Sequence, residues 1–286
     1  MGTVVGLRRY PVKSMLGEDL ASVSVTERGL SGDRAFAVLD ETGTVGSAKH
    51  PRKWGPLLRC RSRFGADGAV RVELPDGSAS IAGDAELDKR LAELLNRRVT
   101  LTDRPGGPGR LERAVPDYPG GVPEVVRERA FVDETGESVT AGQVADGTFF
   151  DFGRVHLVTT AGLDRLRAAH PAGDFDARRF RPNLVVDVPG VPDLPDLPDR
   201  GFPEDAWLGR TLRIGEVLFR VTVPTPRCVV PTLAHGNLPA DPAIMRTVAR
   251  EHRVPVLTLG PLSCVGVYLD VLEPGELRIG DAVALG

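Results

Sequence analysis

Short apolar runs and alternating apolar and polar positions, separated by turn residues, recur along this chain, and three stretches change to a helical period. Val23 and Val25 stand between polar neighbours, and Ala35 to Asp40 is a short apolar run. The turn Glu41-Thr42-Gly43-Thr44 follows and leads into a second strand from Val45. Leu57 to Phe64, Ala69 to Leu74 and Val99 to Thr102 continue the series, with Pro75-Asp76-Gly77 as a turn. In the second half, strands are predicted over Val155–Thr159, Asn183–Val188, Thr211–Thr222, Pro255–Leu259, Ser263–Val271 and Leu277–Leu285.

The helical stretches are short. Asp84 can cap a helix running to Asn96, with Leu87, Leu91, Leu94 and Leu95 on one face. Thr160 can cap a second, with Leu163 and Leu166 inward. Asp241 can cap a third, with Pro242 at its first position and its end near His252. Strands outnumber helices and do not alternate with them. That excludes a doubly wound sheet and predicts a mainly β fold, a barrel with peripheral helices. Prolines and glycines crowd Asp103 to Glu124 (Pro105, Pro108, Pro116, Pro119, Pro123) and again Pro189 to Pro203. The first is expected to be a linker or an ordered loop, the second extended and exposed. The expected organisation is an N-terminal β-rich module over 1–102, a connecting segment over 103–130 and a second β domain over 131–286.

Composition changes this picture little. The 286 residues carry a net charge of −3 and a pI near 6.0, so no global basic field points to nucleic acid. Three scattered cysteines, Cys60, Cys228 and Cys264, form neither a disulfide framework nor a metal-binding pair. No apolar run approaches the roughly 18 residues that span a bilayer, and no signal-peptide pattern is present. A cytoplasmic protein without membrane association is expected. Phosphate-binding loops, dinucleotide fingerprints, nucleophile elbows and paired zinc-site histidines are missing. The five histidines are expected to serve packing or the surface, with His235, seven residues beyond Cys228, the exception to watch.

Two motifs stand out. One is Tyr10-Pro11-Val12-Lys13-Ser14 with Gly32-Asp33-Arg34, the other Arg179-Phe180-Arg181-Pro182-Asn183 with Pro224-Thr225-Pro226-Arg227-Cys228. Prolines fix the backbone beside cationic and polar side chains. Lys13, Arg34, Arg181 and Arg227 could together grip an anion; each could also be an ordinary strand-end ion-pair residue. Cys228 follows an arginine that would favour its thiolate, a soft ligand for a metal. Cys60 and Cys264 sit in strand-like runs and are expected to be packing residues.

The same motifs resemble the MOSC family, named for the C-terminal domain of molybdenum cofactor sulfurase. Tyr10–Ser14 and Gly32-Asp33-Arg34-Ala35-Phe36-Ala37-Val38-Leu39-Asp40 resemble its N-terminal β-barrel module. Val155-His156-Leu157-Val158-Thr159-Thr160-Ala161-Gly162-Leu163, Arg179–Asn183, Arg227-Cys228 and Leu277-Arg278-Ile279-Gly280-Asp281-Ala282-Val283 resemble the MOSC domain. The resemblance implies a β-barrel that holds the molybdenum cofactor in its molybdopterin form. It implies Cys228 as metal ligand and catalytic residue. Lys13, Ser14, Arg34, Thr159, Thr160, Arg181, Asn183 and Arg227 become cofactor contacts.

The enzymes of this family that reduce amidoximes imply an oxidoreductase acting on small N-hydroxylated or N-oxide substrates. Its electrons would come from a separate protein of ferredoxin or flavoprotein type, because the sequence lacks an iron–sulfur cysteine cluster. Those enzymes tend to carry a cysteine, a serine, an arginine and a cysteine in a row, where this chain has Thr225-Pro226-Arg227-Cys228. Pro226 and the missing iron–sulfur cluster leave open a cofactor carrier or persulfide-handling protein without turnover, and a third reading is a metal-free barrel that binds an anion or a partner.

Overall fold

The computed structural model describes residues 2–105, 109–116, 122, 124–145, 147–188 and 201–286. Seven of its strands close into a barrel: β1 (Gly2–Arg9), β2 (Val155–Thr159), β3 (Leu184–Asp187), β4 (Thr211–Ile214), β5 (Val217–Pro226), β6 (Pro261–Glu273) and β7 (Ala282–Leu285). The order around the wall is β2-β3-β1-β7-β4-β5-β6, and β6 returns to β2 through Val155↔Leu269 and Leu157↔Val267. All neighbours are antiparallel except β2 and β3, which helix α2 (Thr160–Ala169) joins as a crossover. Alternation fills the interior: Val4, Leu7, Leu157, Leu184, Val186, Leu212, Ile214, Phe219, Val221, Val267 and Leu269 pack into one core.

β1 has no counterpart in the strands expected from sequence, which begin at Val23. Glycines at 2 and 6 weaken its apolar signal, yet both are needed. A Cβ on Gly2 would meet Asp187 O at 2.8 Å, and one on Gly6 would meet Val185 Cβ at 3.0 Å. Other corrections are local. Thr211–Thr222 is a hairpin that turns at Gly215, and Leu277–Leu285 also divides into two strands. Leu57 and Leu58 lie in a 3-10 helix over Gly55–Arg59, not a strand, and Leu257–Leu259 is likewise a 3-10 turn. The crowded segment after Asp103 contains a strand, Arg110–Ala114, that pairs with Ser138–Gln143. Most of the second proline-rich stretch, 189–200, lies outside the described residues.

A second core lies beside the barrel. Helix α1 (Ala85–Leu95) buries Leu87, Leu91 and Leu95 against Met15, Val38, Trp54, Leu57, Val72 and Leu101. Asp84 caps it, accepting from Glu86 N at 2.9 Å. Helix α3 (Ala243–Glu251) follows Asp241, whose carboxylate accepts from Ala243 N at 2.8 Å. No helix among the described residues is long and apolar enough to cross a membrane.

The N-terminal half supplies strands to the barrel core as well as the whole of the second core. β1 sits between β3 and β7 of the second half, and Ser22–Thr26 pairs with Gly275–Arg278. The chain leaves β1 at Tyr10 and passes directly into the second core, so its first motif lies where the two meet.

Candidate functional site

At that junction one pocket gathers Lys13, Ser14, Arg34, Arg181, Asn183, Arg227 and Cys228, drawn from both halves of the chain. Hydrogen bonds tie the two segments of the first motif together. Arg34 N donates to Tyr10 O at 2.7 Å, Lys13 N to Phe36 O at 2.9 Å, and Tyr10 N to the Asp33 carboxylate at 2.7 Å. The second motif joins through Tyr10, whose hydroxyl donates to Pro182 O at 3.3 Å. The Arg181 and Arg34 guanidiniums lie 4.3 and 4.9 Å from the Tyr10 ring centre. Cys228 follows the end of β5, and Arg227 N donates to Ser263 O at 2.9 Å. β5 has by then run past β4, whose ladder ends opposite Arg220. The open side tolerates Pro224 and Pro226, which offer no N–H.

Among the described residues, five other than glycine have positive φ, and three of them line this pocket: Ser14 at 67°, Arg34 at 48° and Arg181 at 54°. Such a conformation costs on the order of 1–3 kcal/mol per residue and persists only where the surroundings impose it. Its concentration here marks the pocket as a place where side-chain direction outranks backbone comfort.

Lys13, Arg34, Lys49, Arg181 and Arg227 bring five positive charges. Asp33, paired with Arg34, and Asp151, paired with Lys13 and Lys49, answer two of them, so three remain. Burial pushes Lys13 down to about 8 although Asp151 opposes it, and burial lowers Arg181 to about 10, leaving both cationic at neutral pH. His156 also lines the pocket and is held well below its ordinary value, first by burial and then by Arg227, so it adds no charge.

Two arginine nitrogens of this pocket are buried without a partner: Arg181 Nη1 and Arg227 Nε. Arg227 Nη2 is used, donating to Phe180 O at 2.8 Å. An unpartnered buried guanidinium nitrogen is costly, and an anion in the pocket would remove the penalty. Cys228 is partly exposed and lines the same pocket. Cys60 and Cys264 are buried, and burial pushes both thiols up to about 12, so they are packing residues.

Not every candidate residue is placed to touch a ligand. Thr159 and Thr160 are not among the lining residues. Thr159, rather than Thr160, caps α2: its hydroxyl accepts from Gly162 N at 3.1 Å and donates to Glu204 Oε2 at 2.6 Å. Thr160 donates to Asp187 at 2.6 Å. Asn183 lines the pocket, but its amide joins strands, accepting from His156 N at 3.1 Å and donating to Arg8 O at 3.2 Å. Ser14 Oγ accepts from Ala48 N at 3.0 Å and so fixes the segment that carries Lys49. Sequence reasoning missed Lys49, Asp151, His156 and Tyr268, which line the pocket from segments without a polar motif of their own.

His235 is buried in a neighbouring cavity that shares Arg181, and burial lowers it to about 4. Elsewhere, His50, Glu112 and Asp133 stand close enough to share an ion. Lys53 Nζ lies 3.2 Å from Glu112 and His50 Nε2 lies 2.6 Å from Asp133, so each carboxylate already has a partner within the chain.

Residues 1–105 match the family described as MOSC N-terminal beta barrel domain, and residues 146–284 match that described as MOSC domain. No curated protein matches the sequence. Among solved structures, the YUAD protein of Bacillus subtilis aligns over 99% of this chain and 94% of its own at 12% identity, with a TM-score of 0.45. YiiM from Geobacillus stearothermophilus covers 55% of this chain and 70% of its own at 16% identity, with a TM-score of 0.31. YiiM from Escherichia coli covers 47% and 54% at 18% identity, also with a TM-score of 0.31.

Proposed function

The chain belongs to the MOSC family, whose domain is associated with the molybdenum cofactor, and from that premise we propose that the basic pocket binds this cofactor in its molybdopterin form with Cys228 as the metal ligand. The observation that carries the reading is the meeting of one accessible thiol with two unpartnered buried arginine nitrogens in a pocket of net positive charge. The donor set fits the group: a soft sulfur suits the metal, and guanidinium and ammonium donors suit an anionic pterin phosphate. Arg181 and Arg227 would hold the anion, and Arg34 and Lys13 would complete the cationic wall. Ser14 and Asn183 would keep that wall in position.

The reaction we propose is reduction of N-hydroxylated or N-oxide compounds. Converting N–OH to N–H consumes two electrons and two protons and releases water. Bound molybdenum supplies the two-electron chemistry, and the electrons come from a separate ferredoxin or flavoprotein. The chain's own residues bind the cofactor, line its pocket with the apolar rings of Phe150 and Phe180, and hold His156 neutral beside the site.

The test is elemental analysis of protein purified from a host that loads a control molybdoenzyme, beside Cys228→Ser. Near-stoichiometric molybdenum that falls at least tenfold in the variant is expected. Equal metal in both would remove Cys228 from its role, and none in either would remove the cofactor. Loaded protein is then assayed with a chemical electron donor and hydroxylamines, amidoximes and N-oxides. No turnover, together with a labile extra sulfur on Cys228 by mass spectrometry, would replace reduction with the persulfide-handling reading, which Pro226 beside the thiol favours.

A further inference from the structure

Asp151 has an unusual place in a pocket built for anions. It lies on the segment leading into β2, and its two carboxylate oxygens reach two different lysines, Lys13 Nζ and Lys49 Nζ, each at 2.6 Å. A quarter of its side chain is still accessible, and it faces the pocket. Lys13 arrives from the N-terminal motif and also donates to Phe149 O at 2.7 Å. Lys49 arrives from the segment that Ser14 anchors through Ala48 N. Two ammonium groups from separate parts of the chain thus converge on one pair of oxygens, as they would on two oxygens of a phosphate or sulfate.

We infer that Asp151 is the resident counter-ion of the basic pocket: it occupies Lys13 and Lys49 in place of a ligand anion, competes with that anion, and sets how tightly the pocket holds dianions. The inference rests on the reading of the pocket as an anion site and goes on to name the residue that moderates it.

Charge accounting supports the assignment. Burial alone would raise the Asp151 carboxyl, but Lys13 and Lys49 outweigh it and hold the group well below the usual carboxylate range, so it is ionised at any physiological pH. Beside the lysines the pocket is therefore worth one positive charge rather than two. Uncompensated charge is concentrated at Arg181 and Arg227, the arginines with unpartnered nitrogens. Without Asp151 the lysine end would be a second strong anion site, open to any phosphate or sulfate in solution. With it, a ligand gains the lysines only by displacing or sharing the carboxylate.

A negative charge acts on a ligand in proportion to the ligand's own charge. Loss of Asp151 should therefore favour a dianion by about the square of the factor by which it favours a monoanion, on the order of a hundredfold against tenfold. A purely structural role for Asp151 predicts no such relation.

The experiment is calorimetric titration of nitrate and of sulfate, whose charges do not change across the working range, into wild type, Asp151→Asn and Asp164→Asn at pH 6. Asp164 pairs with Arg167 on the exposed face of α2, so its variant removes the same charge elsewhere. Thermal melts establish that each variant folds. The expected result is tighter binding in Asp151→Asn, with a gain for sulfate near the square of that for nitrate, and no change in Asp164→Asn. Because Asp151 raises the Lys13 ammonium, the gain should also shrink as pH is raised toward 8. Binding in Asp151→Asn that equals or falls below wild type would overturn the inference, since the aspartate would then be holding the lysines in place for the ligand. Gains equal for the two anions would also overturn it. Absence of binding by both proteins would remove the anion site itself, and the inference with it.

Discussion

Arg181 concentrates the character of the site in one residue. Its backbone is left-handed at φ 54°, its guanidinium is buried over Tyr10, and Nη1 has no partner. The backbone strain and the unpartnered nitrogen both oppose the folded state, and the contact with the Tyr10 ring offsets them; this is what a residue held for a ligand looks like. Glycine adopts this conformation freely. Arg181→Gly is therefore expected to leave stability unchanged or raise it by about 1 kcal/mol, while sulfate binding falls at least tenfold. Urea unfolding and calorimetry check the two halves separately. A loss of stability beyond about 2 kcal/mol would show that Arg181 holds the fold rather than a ligand. Arg179, two residues earlier, is the contrast: fully buried, it donates to Asp174 O at 2.6 Å, Pro231 O at 3.2 Å and Pro239 O at 2.9 Å. It ties down the segment that follows Cys228 and has nothing left for an anion. Two arginines in one motif thus have opposite tasks, and sequence alone cannot tell them apart.

At the scale of elements, the start of α2 meets a buried acid, Glu204 of the 3-10 turn Pro203–Trp207. Thr159 caps the helix and donates to Glu204, which is almost inaccessible to solvent. Burial raises Glu204 to about 7, above its ordinary 4.5, with the Thr159 hydrogen bond opposing. The folded chain thus keeps a proton that the unfolded chain releases. This group's contribution to stability is complete below about pH 4.5 and is lost as pH rises through 7, a change of about 3 kcal/mol. Glu204→Gln should remove that slope. Its melting temperature should match wild type near pH 5 and exceed it at pH 8, as read by circular dichroism; parallel profiles would show that Glu204 ionises freely in the fold. Of the two threonines expected as ligand contacts, Thr159 is thus engaged in capping α2 and in holding Glu204, while Thr160 donates to Asp187.

On the scale of the molecule, the barrel is not the property of the second half. β1 lies between β3 and β7, and Val4 and Leu7 are in the barrel core. A chain beginning at residue 103 would expose two strand edges and lose those side chains. It is expected to show no cooperative melting transition and poorly dispersed amide resonances; a sharp transition would mean the barrel closes without β1. The same arrangement explains the position of the pocket. The N-terminal chain contributes a wall strand, then turns at Tyr10 to deliver Lys13 and Ser14 to the rim, where Arg181, Arg227 and Cys228 arrive from the other half.

Local signals were enough for much of this. Alternation specified most strands, Asp84 and Asp241 specified helix starts, and the motifs around Lys13, Arg34, Arg181 and Cys228 marked side chains that do share one pocket, because capping, period and proline placement act over a few residues. Closure of the barrel was decided only in three dimensions. β1 is weak as a local strand and is stabilised by neighbours that follow it by about 180 and 280 positions in the chain. So were the charge balance and the division of labour among polar residues. Lys49 and Asp151 have no motif, and they matter because folding sets them 2.6 Å apart. Thr159, Asn183 and Arg179 read as ligand contacts or motif members until their hydrogen bonds are counted. A buried polar group must find a partner, and which partner it finds is settled by tertiary structure.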